Sequence, residues 1–334
     1  MIPYAFLLFK KVSVMKNLCL LMSLCLSQAL AFSSEAKVLK VFILAGQSNM
    51  EGQAVVDLTG KDYNDGKGTL AELVRDPAQG ARYKHLKAGD GPWVKRDDVW
   101  MHYQREGAPL LTGSLGLGYS VYGDQHHFGA ELQFGHVMGD HYDQQVLLIK
   151  TAWGGKSLAV DFRPPSSGGT VGPYYSLMIK DITTTLNSLK QEYPAYNGAG
   201  FELAGFVWWH GWNDFVDNKS TMAYEQNLIN LIHDVRKDLK VPTLPVVIGE
   251  LTGPWKKDDK ETPTAAKTIR DAQKAVAARP EFSKSVVFVE TKTFARDPQA
   301  SPNPGHGHHE FGNAETYLLV GDALAQGMKQ VLKK

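Results

Sequence analysis

The chain has 334 residues, with 36 Lys and Arg against 35 Asp and Glu, a formal net charge of +1. Hydrophobic residues make up 43% and charged residues 21%, the balance of an ordinary folded protein and not of a disordered one. So small a net charge supplies no long-range attraction to nucleic acid or to an anionic membrane, which disfavours partners of either kind.

The first segment reads as a leader. Lys16 and Asn17 precede an apolar run, Leu18 to Leu26, and small residues follow at Ala29 and Ala31. A basic start, a short apolar stretch and small residues are the pattern of a secretory signal over residues 1–31, cut after about Ala31. Met15 offers an alternative start, with residues 1–14 as an upstream extension. The apolar run is too short to span a bilayer comfortably. The expectation is a secreted or periplasmic protein with no membrane attachment after signal removal. Cys19 and Cys25 are the only cysteines, and both lie in the leader. A mature chain of residues 32–334 then has no disulfide, no Cys-based zinc site and no Cys nucleophile. Its length allows a single domain with a substantial core.

The mature part alternates two kinds of segment. Apolar runs occur at Val38 to Ala45, Gln145 to Lys150, Leu203 to Trp209, Leu244 to Glu250 and Ser285 to Thr291. Continuous apolar runs of this length suit strands buried on both faces. Segments with helical period lie between and after them, at Ala130 to Asp140, Tyr174 to Leu189, Met222 to Leu239, Thr264 to Ala278 and Ala314 to Leu332. The alternation predicts an α/β fold, a mostly parallel sheet covered by helices on both faces. Residues 51–128 break the pattern. They are polar, rich in Gly, Asp and Lys, carry several aromatics and show no clear period. They follow the first strand, so they are expected at the carboxyl edge of the sheet, as an insertion facing a substrate.

Four positions carry possible chemistry, each at a strand end or before the last helix. Ser48 ends the first strand in Gly46-Gln47-Ser48-Asn49-Met50. A serine there can be a nucleophile whose own N–H lies at a helix start, or simply a helix cap. Gly154 and Gly155 follow the second strand, where backbone N–H groups can approach a ligand or merely form a turn. Asn213 follows the third strand and has a carboxamide N–H for developing negative charge. Asp214 beside it can be an acid or a helix cap. His306, His308 and His309 precede the last helix, and one of them can act as a general base near neutral pH. A metal site there is disfavoured, because a glycine-rich loop gives no fixed ligand geometry.

Taken together, these blocks resemble the SGNH hydrolase superfamily, and within it the sialate O-acetylesterase-like group that includes carbohydrate esterase family six. Gly46-Gln47-Ser48-Asn49-Met50 is similar to that group's nucleophile block, and Trp153-Gly154-Gly155-Lys156-Ser157-Leu158 to its glycine block. Gly211-Trp212-Asn213-Asp214 matches the Gly-x-Asn-Asp block, and His309 with Gly312-Asn313-Ala314 the histidine block. The resemblance spans Lys40 to Met328. It implies a three-layer α/β/α sandwich with about five strands and serine-dependent removal of O-acetyl groups from a glycan, with no metal or organic cofactor. It makes Ser48 the nucleophile and His309 the base, with an oxyanion hole from Ser48, Gly154 or Gly155, and Asn213. Two departures stand out. His210-Gly211-Trp212 replaces the Gln-Gly-Glu of many group members, and His306 stands where superfamily members often carry Asp. The third triad member is therefore open among Asp214, Asp297 and Glu310, with Asp214 favoured because it lies in a matched block. A serine–histidine dyad is the alternative arrangement. The alternative function is a glycan-binding protein with a degenerate esterase site.

Overall fold

In the computed structural model, residues 37–256 and 258–334 are described. The leader read over residues 1–31 lies outside them. Strand β1 (Leu39–Gly46) is central. The other strands are β2 (Ala54–Val55), β3 (Arg96–Tyr103), β4 (Leu111–Leu115), β5 (His127–Phe128), β6 (Val146–Ala152), β7 (Phe201–Trp209), β8 (Val246–Gly249) and β9 (Val286–Val289). Seven of them form one sheet in the order β4-β3-β6-β1-β7-β8-β9, while β2 and β5 make a separate two-stranded ladder. Every pairing in the large sheet is parallel except that of β3 with β4.

The alternation of side chains along β1 defines the three layers, because successive residues of a strand face opposite sides. Val41, Ile43 and Ala45 join a core formed with helices α3 (Pro173–Asn187), α4 (Asn218–Asp238) and α5 (Thr264–Ala277). Phe42 and Leu44 face the opposite core, closed by α2 (Glu131–His141) and α6 (Ala314–Leu332). A short helix, α1 (Ser48–Glu51), follows β1 almost at once. All five apolar runs are strands and all five periodic segments are helices, so the α/β/α sandwich is present. No helix among the described residues is long and apolar enough to cross a membrane.

The sheet has two strands more than the expected five. Both come from the 51–128 segment. In β3 only the second half, from Val99 onward, is buried, and β4 is a partly exposed edge strand paired on one side. Neither therefore shows the unbroken apolar run of a central parallel strand.

The topology decides where a ligand can sit. From β1 the chain runs out to β3 and β4 at the sheet's edge, returns to β6 beside β1, and then crosses to β7 on the other side of β1. The strand order therefore reverses at β1, and the connections leaving β1, β6 and β7 separate there. That opens a crevice at their carboxyl ends.

Candidate active site

Three of the four predicted blocks meet at this crevice. Gly46 closes β1, and a Cβ at that position would lie 2.2 Å from the Trp209 carbonyl oxygen and 2.8 Å from the Met50 Cβ. Only glycine lets the turn into α1 pass so close to the end of β7. Ser48 then stands at the first position of α1, half-buried. Its hydroxyl makes no hydrogen bond to a described residue, and its N–H lies at a helix start, where intrahelical acceptors are lacking.

Gln47, a member of the serine block with no role expected from the sequence, ties the crevice together. Its Oε1 accepts from the Gly211 N–H at 3.1 Å and the Asn213 N–H at 3.4 Å, and its Nε2 donates to Asn213 Oδ1 at 2.8 Å. Asn213 Nδ2 donates in turn to the Gly155 carbonyl at 3.0 Å. One amide hydrogen of Asn213 is then committed and the second remains for a ligand. The ends of β1, β6 and β7 are thus linked by a chain of side-chain bonds.

The two glycines are not equivalent. A Cβ on Gly154 would meet Glu51 Oε2 at 2.8 Å and the Ser48 Cβ at 3.5 Å, so this backbone lies directly against the serine helix. The Gly154 N–H faces the Glu51 carboxylate and pulls its titration down. Gly155, at φ +71°, has open space around its Cα and no hydrogen bond from its N–H to a described residue. Gly155 is therefore the glycine whose donor is available. Glu51 shares a face of α1 with Ser48, three residues away, and also accepts from Tyr103 Oη at 3.2 Å. Burial pushes its carboxyl up to about 7, against the pull of the Gly154 N–H, Tyr103 and Lys150.

Asp214 has a different place from the acid expected of it. It is fully buried, and its two oxygens accept from the Leu158 N–H at 2.8 Å and the Ala159 N–H at 2.9 Å. Burial pushes its carboxyl up to about 7 while these two donors pull it down. It fastens the turn after the glycine block and makes no hydrogen bond to His309. His210 supports the same turn. Its Nε2 lies 2.9 Å from the Lys156 carbonyl and must carry the proton, since a carbonyl only accepts. Its ring stacks on Trp208 with centroids 4.5 Å apart.

The fourth block arrives from the far end of the chain. His309 lies in a tight helical turn, Gly307–Gly312, that packs against α1 and β2. The link is specific. Tyr317 Oη donates to Asn49 Oδ1 at 2.8 Å and lies 3.2 Å from the His309 carbonyl, so the neighbour of Ser48 is held to the backbone of His309. Three imidazoles line up there, His308 with His309 at 4.0 Å between centroids and His306 with His308 at 5.8 Å. Burial, with the neighbouring His308 and His306, pushes the His309 imidazole down to about 4, so it is neutral at pH 7. No carboxylate among the described residues bonds its ring. Asp297 caps its own turn through the Gln299 N–H at 2.8 Å, and Glu310 points to Asn49 and Gly253. No group of three or more His, Cys, Asp or Glu side chains among the described residues is placed to hold a metal.

Glu51, Tyr103 and Lys150 had no role expected from the sequence. The three-residue spacing of Ser48 and Glu51 was the one signal for the first. Lys150, the charge at the end of an apolar run, was the signal for the last.

The profile of the family described as "Carbohydrate esterase, sialic acid-specific acetylesterase" matches residues 38–328. Solved structures resemble the chain over most of its length. One is a protein of Arabidopsis thaliana, at 16% identity and a TM-score of 0.54, over 87% of this chain and 98% of that one. Another is NanS, at 13% identity and a TM-score of 0.55, over 90% of this chain and 99% of that one. A third is described as a novel carbohydrate acetylesterase from Xanthomonas citri, at 13% identity and a TM-score of 0.53, over 88% of this chain and 56% of that one. At such identities the likeness shows the fold alone. None of the curated proteins searched matches the sequence. The family profile spans nearly all of the described residues, and the chain belongs to the carbohydrate esterases of the sialic acid-specific acetylesterase family.

Proposed function

We propose that the protein is an exported serine esterase that removes O-acetyl groups from a carbohydrate. The observation that carries this reading is the meeting of Ser48, Gly155 and Asn213 at the strand-order reversal, with the His309 turn packed against the serine helix. Ser48 Oγ attacks the acyl carbonyl as His309 takes its proton. The sugar alcohol leaves with a proton returned by His309, and water then releases acetate from Ser48 by the same exchange. The Ser48 N–H, the Gly155 N–H and the free hydrogen of Asn213 Nδ2 converge on the oxyanion. Losing one such donor typically costs about 3 kcal/mol of transition-state stabilisation. With no carboxylate among the described residues bonded to the His309 ring, the pair works as a dyad, and its base is oriented by packing and by the backbone held at Tyr317. Tyr122, 52% exposed, donates to Gln53 at 3.0 Å beside the serine helix, and Trp212 lies between Phe215 and His308. These aromatic faces suit a sugar ring. Export rests on the leader-like residues 16–31.

The test is release of acetate from an aryl acetate and from O-acetylated sugars by the purified protein and by Ser48→Ala. Loss of turnover by a factor of at least about 10³ in the variant supports the reading. Equal rates in the two proteins end it. Glycan binding that survives Ser48→Ala, with no acyl release by the parent, would identify a binding protein instead.

A further inference from the structure

Glu310 follows the proposed base and is completely buried. Its backbone is left-handed, at φ +50°, and so is that of Phe311 at φ +57°. Two consecutive non-glycine residues rarely adopt this conformation unless surrounding contacts enforce it. The turn carries the Glu310 carboxyl away from the His309 ring and into the interior. There Oε1 accepts from the Gly253 N–H at 2.9 Å and from Asn49 Nδ2 at 3.4 Å. Oε2 is buried and has no hydrogen-bond partner.

The position of this carboxyl matters because of what it joins. Asn49 is the immediate neighbour of Ser48, and its other side-chain atom accepts from Tyr317, which also reaches the His309 carbonyl. Gly253 lies in the loop after β8. One carboxyl thus sits between the serine segment, the β8 loop and the histidine turn. The charged and titratable groups facing it are the Arg270 guanidinium from α5 and the Tyr317 phenol from α6. Arg270 directs its hydrogen bonds to the carbonyls of Leu251, Thr252 and Gly253. An orphaned, buried Oε2 suits a neutral carboxylic acid, since an unpaired buried charge is far more costly than an unpaired hydroxyl.

We propose that Glu310 is a positioning residue which, as a neutral acid, fastens the histidine turn to the serine segment, and that ionisation, by placing charge on the buried, partnerless Oε2, drives the carboxyl out of this pocket, releases the turn and lowers turnover. The inference rests on the serine–histidine reading of the site. Burial pushes the carboxyl up to about 8, with the Gly253 N–H and Arg270 pulling the other way, so the release falls on the alkaline side of neutrality.

The test compares kcat/KM against pH for the wild type and Glu310→Gln, with an aryl acetate as probe. The wild type is expected to lose activity above about pH 8, approaching tenfold per pH unit, while Glu310→Gln, which cannot ionise, lacks that limb. An identical alkaline limb in both proteins overturns the proposal. Thermal melting supplies a readout independent of turnover. A carboxyl whose folded value lies above its unfolded one binds its proton more tightly when folded, so wild-type stability declines as pH rises from about 4.5 to about 8. Glu310→Gln should escape that part of the decline, and parallel melting curves count against the proposal. Should Glu310→Gln fail to fold, Asn49→Ala serves. It cuts the bond between the carboxyl and the serine segment, so turnover should already be low near neutral pH and the alkaline limb should flatten, and a limb as steep as that of the wild type overturns the inference. Absence of any Ser48-dependent hydrolysis would sink the functional reading, and the melting comparison would then decide the Glu310 proposal alone.

Discussion

Replacing Lys150 with Met should destabilise the protein severely, chiefly because it strands a buried charge. Lys150 ends the apolar run of β6 and is wholly buried. Its Nζ donates to Glu131 Oε2 at 2.7 Å, to the Tyr119 carbonyl at 2.6 Å and to the Glu51 carbonyl at 2.9 Å. Glu131 is equally inaccessible, and its Oε1 is held by the Gly129 N–H at 2.9 Å. Burial pulls the ammonium below the ordinary lysine range while Glu131 pulls it back up. Three donors matched to three acceptors make the buried ammonium tolerable. In Lys150→Met the chain keeps its apolar volume, but Glu131 becomes an uncompensated buried charge and two carbonyls lose their donor. Breaking a buried pair from one side costs about 3–5 kcal/mol. Urea unfolding followed by tryptophan fluorescence measures the loss directly. Lys150→Met with Glu131→Gln should recover a large part of it, because the second change removes the stranded charge, and the two substitutions should couple by about 2 kcal/mol or more. Turnover of the single variant should also fall, because the Glu51 carbonyl closes the helix that begins at Ser48. A single variant within about 0.5 kcal/mol of the wild type, the range of ordinary surface changes, would refute the reasoning.

Two further outcomes follow from the site. Asp214→Asn should lower the unfolding free energy by about 2 kcal/mol, since its new NH2 faces a backbone N–H, and should reduce kcat only moderately. A fall near 10⁴-fold with unchanged unfolding would reinstate Asp214 as the acid of a triad. The acidic limb of kcat/KM should lie well below the ordinary imidazole range, near pH 4, because burial and two neighbouring imidazoles hold His309 neutral to that point. A limb near pH 6.5 in an initial-rate profile would show that the His309 ring is more exposed, or better paired with an acid, than this geometry has it.

How far the site was legible depended on how local each signal was. Ser48, Gly155 and Asn213 stand at strand ends, and strand ends in parallel sheets are marked by apolar runs that stop at glycine. The role of Gln47 was not legible, because its three bonds go to residues more than 160 positions away. Asp214 sits in a block that matches relatives, which made it the favoured acid. Its true partners, Leu158 and Ala159, lie 56 and 55 residues earlier, and nothing in its own block announces them. The sequence left the third triad member open, and among the described residues Asp214, Asp297 and Glu310 all bond elsewhere than to the His309 ring.

The order and type of the elements were written in the chain itself, since burial on both faces leaves a continuous apolar run and burial on one leaves a helical stripe. The family was legible for the same reason, because its blocks are short and contiguous. Only the tertiary structure decided the rest: that the polar segment after β1 supplies two strands, that Glu51 faces the Gly154 N–H and leaves that of Gly155 free, and that Glu310 turns inward. These outcomes depend on which buried donor meets which buried acceptor. That is settled by packing among segments far apart in the chain, where an unpaired polar group is costly and each must find its partner.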